Sequence, residues 1–452
     1  MTSSSTQQWV DDELKTLDLG DKRRNRRARR IVKRFAERPG GSIPSVFDGR
    51  AETEATYRLL SNEAVEPDDI RVALQHATLE RLDDQAIVLA PQDTTCLDFS
   101  THPDTDGLGP TGNGVGHGMF VHSAIAISDD GVPLGLLHQQ DWARDPKQAG
   151  KSRQRKELPL EEKESYRWLQ SAEAVEAAVP EDTLLIQIGD RESDIFELLA
   201  APRRERSHLL IRAYRARRLQ GEGARLWPTV QDQSVAAQFE MLVHQDGPRQ
   251  PRTAQLELRY CPVTIRPPKN GIHDPSLAPV TVNAVEVREV NAPKRATAIL
   301  WRLLTDLPVD SVDDAMCCVR YYEMRWLIER YHFVLKSGCR IEESQLRTVD
   351  GLQRLVALLS AVALRLLWMT YSARVNGDAP CTVAFSDDEW RVLYQQRMHK
   401  PPPDEPPPLR EAVLWLAKLG GFLGRKGDGD PGVKVLWRGL MRLQDIVVGF
   451  RL

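Results

Sequence analysis

Four short runs constrain what this chain can fold into more than anything else in it. Residues 86–90 (AIVLA), 183–188 (TLLIQI), 209–212 (LLIR) and 301–305 (WRLLT) are apolar along most of their length rather than at every second position. A strand of that kind has both faces covered, as in the centre of a sheet flanked by helices. Around these runs the apolar spacing turns helical, at 163–178 and 351–371 among others, so the expected class is α/β. The ends of the runs matter as much. The first leads into Pro-Gln-Asp93-Thr-Thr, with Asp93 just past the strand. The second leads into Gly189-Asp190-Arg191-Glu192, and the third ends in Arg212. A charged group carried by a rigid strand is well placed for chemistry. An Asp in such a place is also a common turn former or helix N-cap.

Residues 321–336 (YYEMRWLIERYHFVLK) contain no Pro or Gly and read as part of one unbroken helix opened near Asp313. On such a helix Tyr322, Arg325, Glu329 and Lys336 fall within an arc of about 60°. One carboxylate then shares a stripe with two cations and a phenol. A carboxylate there can hold a metal or accept a proton, and the cations suit a phosphate. A solvated face laced with ion pairs has the same spacing.

Apolar residues at 41% and charged residues at 28% describe an ordinary globular chain. No apolar run reaches the length of a membrane span, and the N-terminus lacks a signal-peptide core. The expectation is a cytoplasmic protein with no membrane partner. The six cysteines are scattered, with no CxxC pair, which argues against a disulfide framework or a zinc knuckle.

The net charge of -3 is silent about nucleic acid, but its distribution is not. Residues 21–35 (DKRRNRRARRIVKRF) put basic side chains on every face of a helix. Such a run self-repels unless an anion lies alongside, and phosphate backbone is the natural partner. Arg23, Arg26, Arg27, Arg30 and Lys33 are its candidate contacts, and a merely solvated basic helix is the alternative. A second helix at 51–62 places Tyr57 and Arg58 where it could dock beside the first.

Residues 215–298 change character: prolines rise, and alternating segments at 254–260, 261–265 and 280–290 read as an antiparallel β insertion. Gly150-Lys151-Ser152 lacks the first glycine of a phosphate loop, since position 145 is Asp145, and no strand leads into it. Nucleotide binding is therefore not expected. Residues 401–408 (PPPDEPPP) read as a stiff spacer. Two amphipathic helices follow, at 410–419 and 433–443, suited to a partner surface or a lid on the core.

Three carboxylates stand out, Asp93, Asp190 and Glu329. Such hard oxygen ligands suit Mg²⁺ or Mn²⁺, and three can hold two ions about 3.5–4 Å apart for an in-line phosphoryl transfer. The literal strings are more specific. They are Asp93-Thr-Thr, Asp190-Arg-Glu-Ser-Asp-Ile, and Tyr-x-x-Arg-x-x-x-Glu-x-x-x-x-x-x-Lys at Tyr322, Arg325, Glu329 and Lys336. Gly-Leu-Leu-His-Gln (135–139), Glu-Lys-Glu-Ser (162–165), Leu-Leu-Thr (303–305) and Leu-Gly-Gly-Phe (419–422) accompany them. Together the strings resemble bacterial cut-and-paste transposases of the DDE class, of the transposon-Tn-five type within the insertion-sequence-four family. The likeness covers nearly the whole chain.

The resemblance implies a ribonuclease-H-like catalytic core over residues 71–372 that contains the β insertion. A helical DNA-end-binding domain (1–70) would precede it and a helical dimerisation domain (373–452) would follow. Asp93, Asp190 and Glu329 would hold two Mg²⁺ or Mn²⁺ ions. Tyr322, Arg325 and Lys336 would contact phosphates near the cleaved end, and Arg212 joins the DNA-facing set. Trp301 resembles the tryptophan that receives a flipped base while a DNA hairpin forms; stacking there offsets the cost of unstacking. A core tryptophan is the alternative. The implied partners are double-stranded DNA, as inverted-repeat ends and target, and a second copy of the chain in a homodimer. A structure-specific nuclease and a silent DNA-binding regulator are the competing readings.

Overall fold

The computed structural model describes residues 5–112, 116–148, 158–243, 252–268, 277–294 and 296–450; Gly150-Lys151-Ser152 lies outside them. The chain divides into two compact units. The first comprises residues 1–85, 94–150 and 327–452, and the second comprises 86–93 and 151–326.

In chain order the first unit opens with α1 (Ser5–Glu13), α2 (Lys22–Glu37), α3 (Ile43–Val46), α4 (Arg50–Leu60) and α5 (Pro67–Glu80). Strand β1 (Ile87–Asp98) serves both units, the second as far as Asp93 and the first from Thr94 on. The first unit adds β2 (Gly109–Thr111), β3 (Gly116–Ser128) and β4 (Pro133–Trp142). The second holds α6 (Arg167–Ala178), β5 (Leu184–Gly189), α7 (Phe196–Ala200), β6 (Ser207–Arg212) and α8 (Leu226–Gln231). Then come β7 (Ala237–Val243), β8 (Arg252–Ile265), β9 (Val280–Val290), β10 (Leu300–Thr305) and α9 (Val312–Met324). The first unit resumes from Leu327 within α10 (Trp326–Phe333) and adds α11 (Val349–Val375), α12 (Asp387–Met398), α13 (Leu409–Leu419) and α14 (Val433–Phe450). The result is a mixed α/β fold with helices at both ends of the chain.

In the second unit β5 runs parallel to the first half of β1 on one side and to β6 on the other. Strands β10, β9, β8 and β7 then extend the sheet from β6, each antiparallel to its predecessor. The segments expected at 254–260 and 261–265 are one strand, β8, paired along its length with β9. Trp168 of α6, Phe196 and Leu199 of α7 and Trp227 of α8 cover this sheet. They pack with Leu209, Ile211, Val263, Ile265, Ala284 and Leu304 from the strands.

Strand β1 outruns the apolar segment at 86–90. The β-branched Thr94 and Thr95 carry the extended backbone on to Asp98. Asp93 therefore lies within the strand, not past its end as expected. The neighbour changes there: residues 87–91 pair with β5, whereas β3 flanks the second half in the first unit.

The first unit is built around α11, on which α2, α4, α5, β4, α13 and α14 pack. This helix is long and apolar enough to cross a membrane, contrary to the expectation from sequence, but 83% of its most apolar window is buried inside the protein. Its Arg354 is buried and donates to the carbonyls of Val65 (2.6 Å) and Leu60 (3.0 Å). The proline tract does not hang free. Cys381 N–H donates to Pro407 O (2.9 Å) and Leu409 N–H to Ala379 O (2.7 Å), so its far end is tied down.

The helix expected over 321–336 is interrupted twice. Arg325 N–H bonds back to Tyr322 O at 3.1 Å, a tight i→i−3 turn between α9 and α10. After Phe333 the backbone widens into a π turn at Val334–Gly338, with Cys339 N–H on Val334 O at 2.8 Å. Tight and wide turns shift the helical phase. The 60° arc reckoned for one continuous helix does not hold: Tyr322 and Arg325 belong to the second unit, Glu329 and Lys336 to the first.

Candidate functional site

The second unit gathers its chemistry where the parallel pairing of three strands ends, with Asp93 within β1, Asp190 directly after β5 and Arg212 at the end of β6. Pro91 of β1 stands opposite Ile188 of β5, and Ile188 opposite Leu210 of β6. Two residues further along come Asp93, Asp190 and Arg212, just beyond the last paired positions, so the three follow the same end of this parallel pairing. A buried amide pair sits one residue short of Asp93, where Gln92 Nε2 donates to Gln187 Oε1 at 2.9 Å. It links β1 to β5 and holds the alignment.

Asp190 caps the short 3₁₀ turn that follows β5, accepting Glu192 N–H at 2.7 Å. Gly189 before it has no room for a side chain, since a Cβ would stand 2.2 Å from Ser193 Oγ. That hydroxyl donates to Asp190 O at 2.6 Å and closes the turn. The N-cap reading of Asp190 is thus correct as far as it goes, and the turn fixes where the carboxylate emerges. Asp93 lies 3.7 Å from Arg325 Nη1, an ion pair that is mostly shielded from water.

Tyr322 and Trp301 pack edge to face, with ring centroids 5.4 Å apart. Burial pushes the Tyr322 phenol above its ordinary pKa, and the nearby guanidinium groups of Arg325 and Arg212 pull it partly back. Neither meets hydrogen-bond geometry, and the hydroxyl is buried without a partner among the described residues. Arg212 Nη2 donates to Leu300 O at 3.0 Å. Trp301 is half-buried, neither a core tryptophan nor a fully exposed one.

Among the described residues no three His, Cys, Asp or Glu side chains form a ready-made metal cage. The donor chemistry of Asp93 and Asp190 nonetheless suits a hard divalent cation: carboxylate oxygens, one on β1 and one directly after the neighbouring β5.

The remaining candidates lie in the first unit. Glu329 is half-buried on α10. Lys336, in the π turn, donates to Cys96 O at 2.8 Å and pairs with Glu342 at 3.1 Å, while Glu342 also accepts Asp98 N–H at 2.9 Å. Glu342 anchors the second half of β1, a role no string in the sequence announces.

The cations of α2 do not cover every face. Ala28, Ile31, Val32, Phe35 and Ala36 form a buried stripe. Arg24 and Arg29 donate to the carbonyls of Leu19 (3.1 Å) and Leu14 (2.7 Å), and Arg34 pairs with Glu37 and Asp48. Arg23 and Arg26 are exposed, Arg30 is exposed but paired with Glu52 at 2.5 Å, and Arg27 and Lys33 are half-buried. On α4, Arg58 is exposed and Tyr57 half-buried.

Two family models match the chain. One, described as transposase DNA-binding, matches residues 6–65, which hold α2, α3 and α4. The other, described as the transposase Tn5 dimerisation domain, matches residues 361–452, from the middle of α11 through α14.

Proposed function

We propose, from the premise that this chain belongs to the Tn5 type of transposases, that it cuts and rejoins DNA as a homodimer on the ends of a mobile element. The observation that carries the reading is that Asp93, Asp190 and Arg212 each follow, within two residues, the last paired positions of three neighbouring parallel strands. A sheet with acidic groups where the pairing of its parallel strands ends supports a ribonuclease-H-like core over residues 71–372. Residues 1–70 would bind the element's inverted-repeat ends, and residues 373–452 would join two copies.

Asp93, Asp190 and Glu329 are the residues that would hold two Mg²⁺ or Mn²⁺ ions. When bound, such ions make water a stronger nucleophile and neutralise charge gathering at phosphorus. The chain's own groups do the rest. Arg212 and Arg325 bring positive charge to the same edge, and a guanidinium can fork two phosphate oxygens. Lys336 would bind a further phosphate on the Glu329 side. Trp301, braced edge-on by Tyr322, offers a ring face to a base swung out of the duplex.

The proposed course is nicking of one strand, attack of the freed 3′-hydroxyl on the opposite strand to form a hairpin, reopening by water, and attack of the 3′-hydroxyl on target DNA. Each step forms one phosphorus–oxygen bond and breaks another, so one site serves all four.

Asp190→Ala is expected to abolish Mg²⁺-dependent nicking while leaving end binding nearly unchanged in a gel shift, and EDTA should do the same to the wild-type chain. Nicking by Asp190→Ala at the wild-type rate would sink the assignment. Precleaved ends that are never joined to target DNA would point to a nuclease instead.

A further inference from the structure

Strand β6 carries a second feature past Arg212. Ala213 N–H donates to Arg302 O at 2.7 Å, which extends the antiparallel register of β6 with β10 by one residue. Tyr214 follows Ala213 and Trp301 precedes Arg302, so both lie at the same end of this pairing. Tyr214 is 73% exposed, the highest figure for a large apolar side chain among the described residues.

An exposed tyrosine by itself needs no explanation. This one is held by an unusual anchor. Asp194 has a fully buried side chain, and its Oδ2 accepts the backbone N–H groups of both Tyr214 and Arg215 at 2.7 Å. Its Oδ1 holds the buried Arg217 through Nε (3.0 Å) and Nη2. Both oxygens thus fix one short loop. Asp194 lies four residues after Asp190, so the segment carrying one catalytic candidate also anchors the loop beside it. Within residues 212–218 (RAYRARR), Arg217 turns inward onto Asp194, whereas Tyr214, Arg215 and Arg218 face solvent. A ring on a firmly anchored backbone between exposed cations suits unpaired nucleic acid: the ring stacks on a base and the cations follow the backbone.

We propose that Tyr214 stacks on an unpaired base of DNA held at these strand ends, that Arg215 and Arg218 meet the flanking phosphates, and that Asp194 is the positioning residue that presents the ring. Tyr214 and Trp301 together make a two-ring edge able to hold two unstacked bases. The inference rests on the DNA-processing reading above, yet its test needs neither metal nor cutting.

The test compares binding of the full chain, by fluorescence anisotropy without divalent metal, to a labelled forked duplex and to the same duplex fully paired. The wild-type chain should prefer the fork. Tyr214→Ala should lower that preference about tenfold, the size expected for one base–aromatic stack, with duplex affinity unchanged. Tyr214→Trp should restore it, which a merely structural role would not do. Replacing Arg215 and Arg218 by Ala should weaken both DNAs alike. Asp194→Asn should behave like Tyr214→Ala; if that variant does not fold, the two Tyr214 variants decide. An unchanged preference in Tyr214→Ala, or no fork preference in the wild-type chain, overturns the proposal. A wild-type chain that prefers the fork through Tyr214 but nicks nothing in Mg²⁺ would keep the stacking site and remove the enzyme reading.

Discussion

His332 shows how far tertiary packing moves a side chain from its ordinary chemistry. It is buried on α10, its Nε2 has no partner among the described residues, and burial, helped by the Lys336 charge, lowers its pKa to about 3. The unfolded chain takes up a proton near the usual 6.5, but the folded chain does not. The stability that follows from keeping this ring neutral is fully present above pH 6.5 and is lost as pH falls from there towards 3. The urea midpoint of the wild-type chain should therefore drop more between pH 7 and pH 5 than that of His332→Gln. Parallel slopes would show that His332 is not the group responsible. At this scale the sequence was informative about identity and poor about surroundings. The strings around Asp93 and Asp190 mark those residues directly, because local chain chemistry carries them. Glu342 on Lys336, and Asp194 on the loop after β6, depend on side chains brought from elsewhere in the chain, and no local pattern encodes that.

Helices α13 and α14 approach so closely that two glycines are required. A Cβ on Gly439 would lie 2.2 Å from Leu416 O, and one on Gly420 would lie 1.7 Å from Val435 O. Gly439→Ala sets two effects against each other. It raises helix propensity by about 0.8–1 kcal/mol but forces backbone apart, at roughly 1–3 kcal/mol or more for overpacking. The clash involves main chain that cannot swing away, so overpacking should prevail and Tm should fall; a higher Tm would mean that the helices separate easily. The two amphipathic helices were legible from their spacing, but their closeness was not. The same limit explains the misread helix at 321–336. An i,i+3/i,i+4 pattern assumes constant pitch, whereas the tight turn at Arg325 and the π turn after Phe333 alter the phase without altering the pattern. On α2 the run of cations hid a buried stripe that only packing against other helices makes evident.

Across the whole molecule, where the charges end up matters more than the net value of -3. Of the α2 cations, Arg24 and Arg29 hold backbone carbonyls, whereas Arg23 and Arg26 face solvent. Replacing Arg23 and Arg26 by Ala should weaken DNA binding and lower the slope of log K against log salt by about 0.9 for each phosphate that is no longer neutralised. Replacing Arg24 and Arg29 should instead lower Tm, which a thermal melt would record. If both pairs changed the salt slope equally, the division between structural and DNA-facing cations would be wrong.

By itself the sequence determined the central strands, the acidic groups they carry, the basic helix near the start and the paired helices near the end. All of these follow from neighbours within a few residues, through alternation, helical spacing and literal motif. Only the tertiary structure decided that Asp93, Asp190 and Arg212 follow the same end of one parallel pairing, that the 321–336 stretch bends, and which arginines face solvent. Those outcomes turn on pairing and packing between residues far apart in the chain, where one shifted turn or one buried carboxylate changes which side chain reaches which.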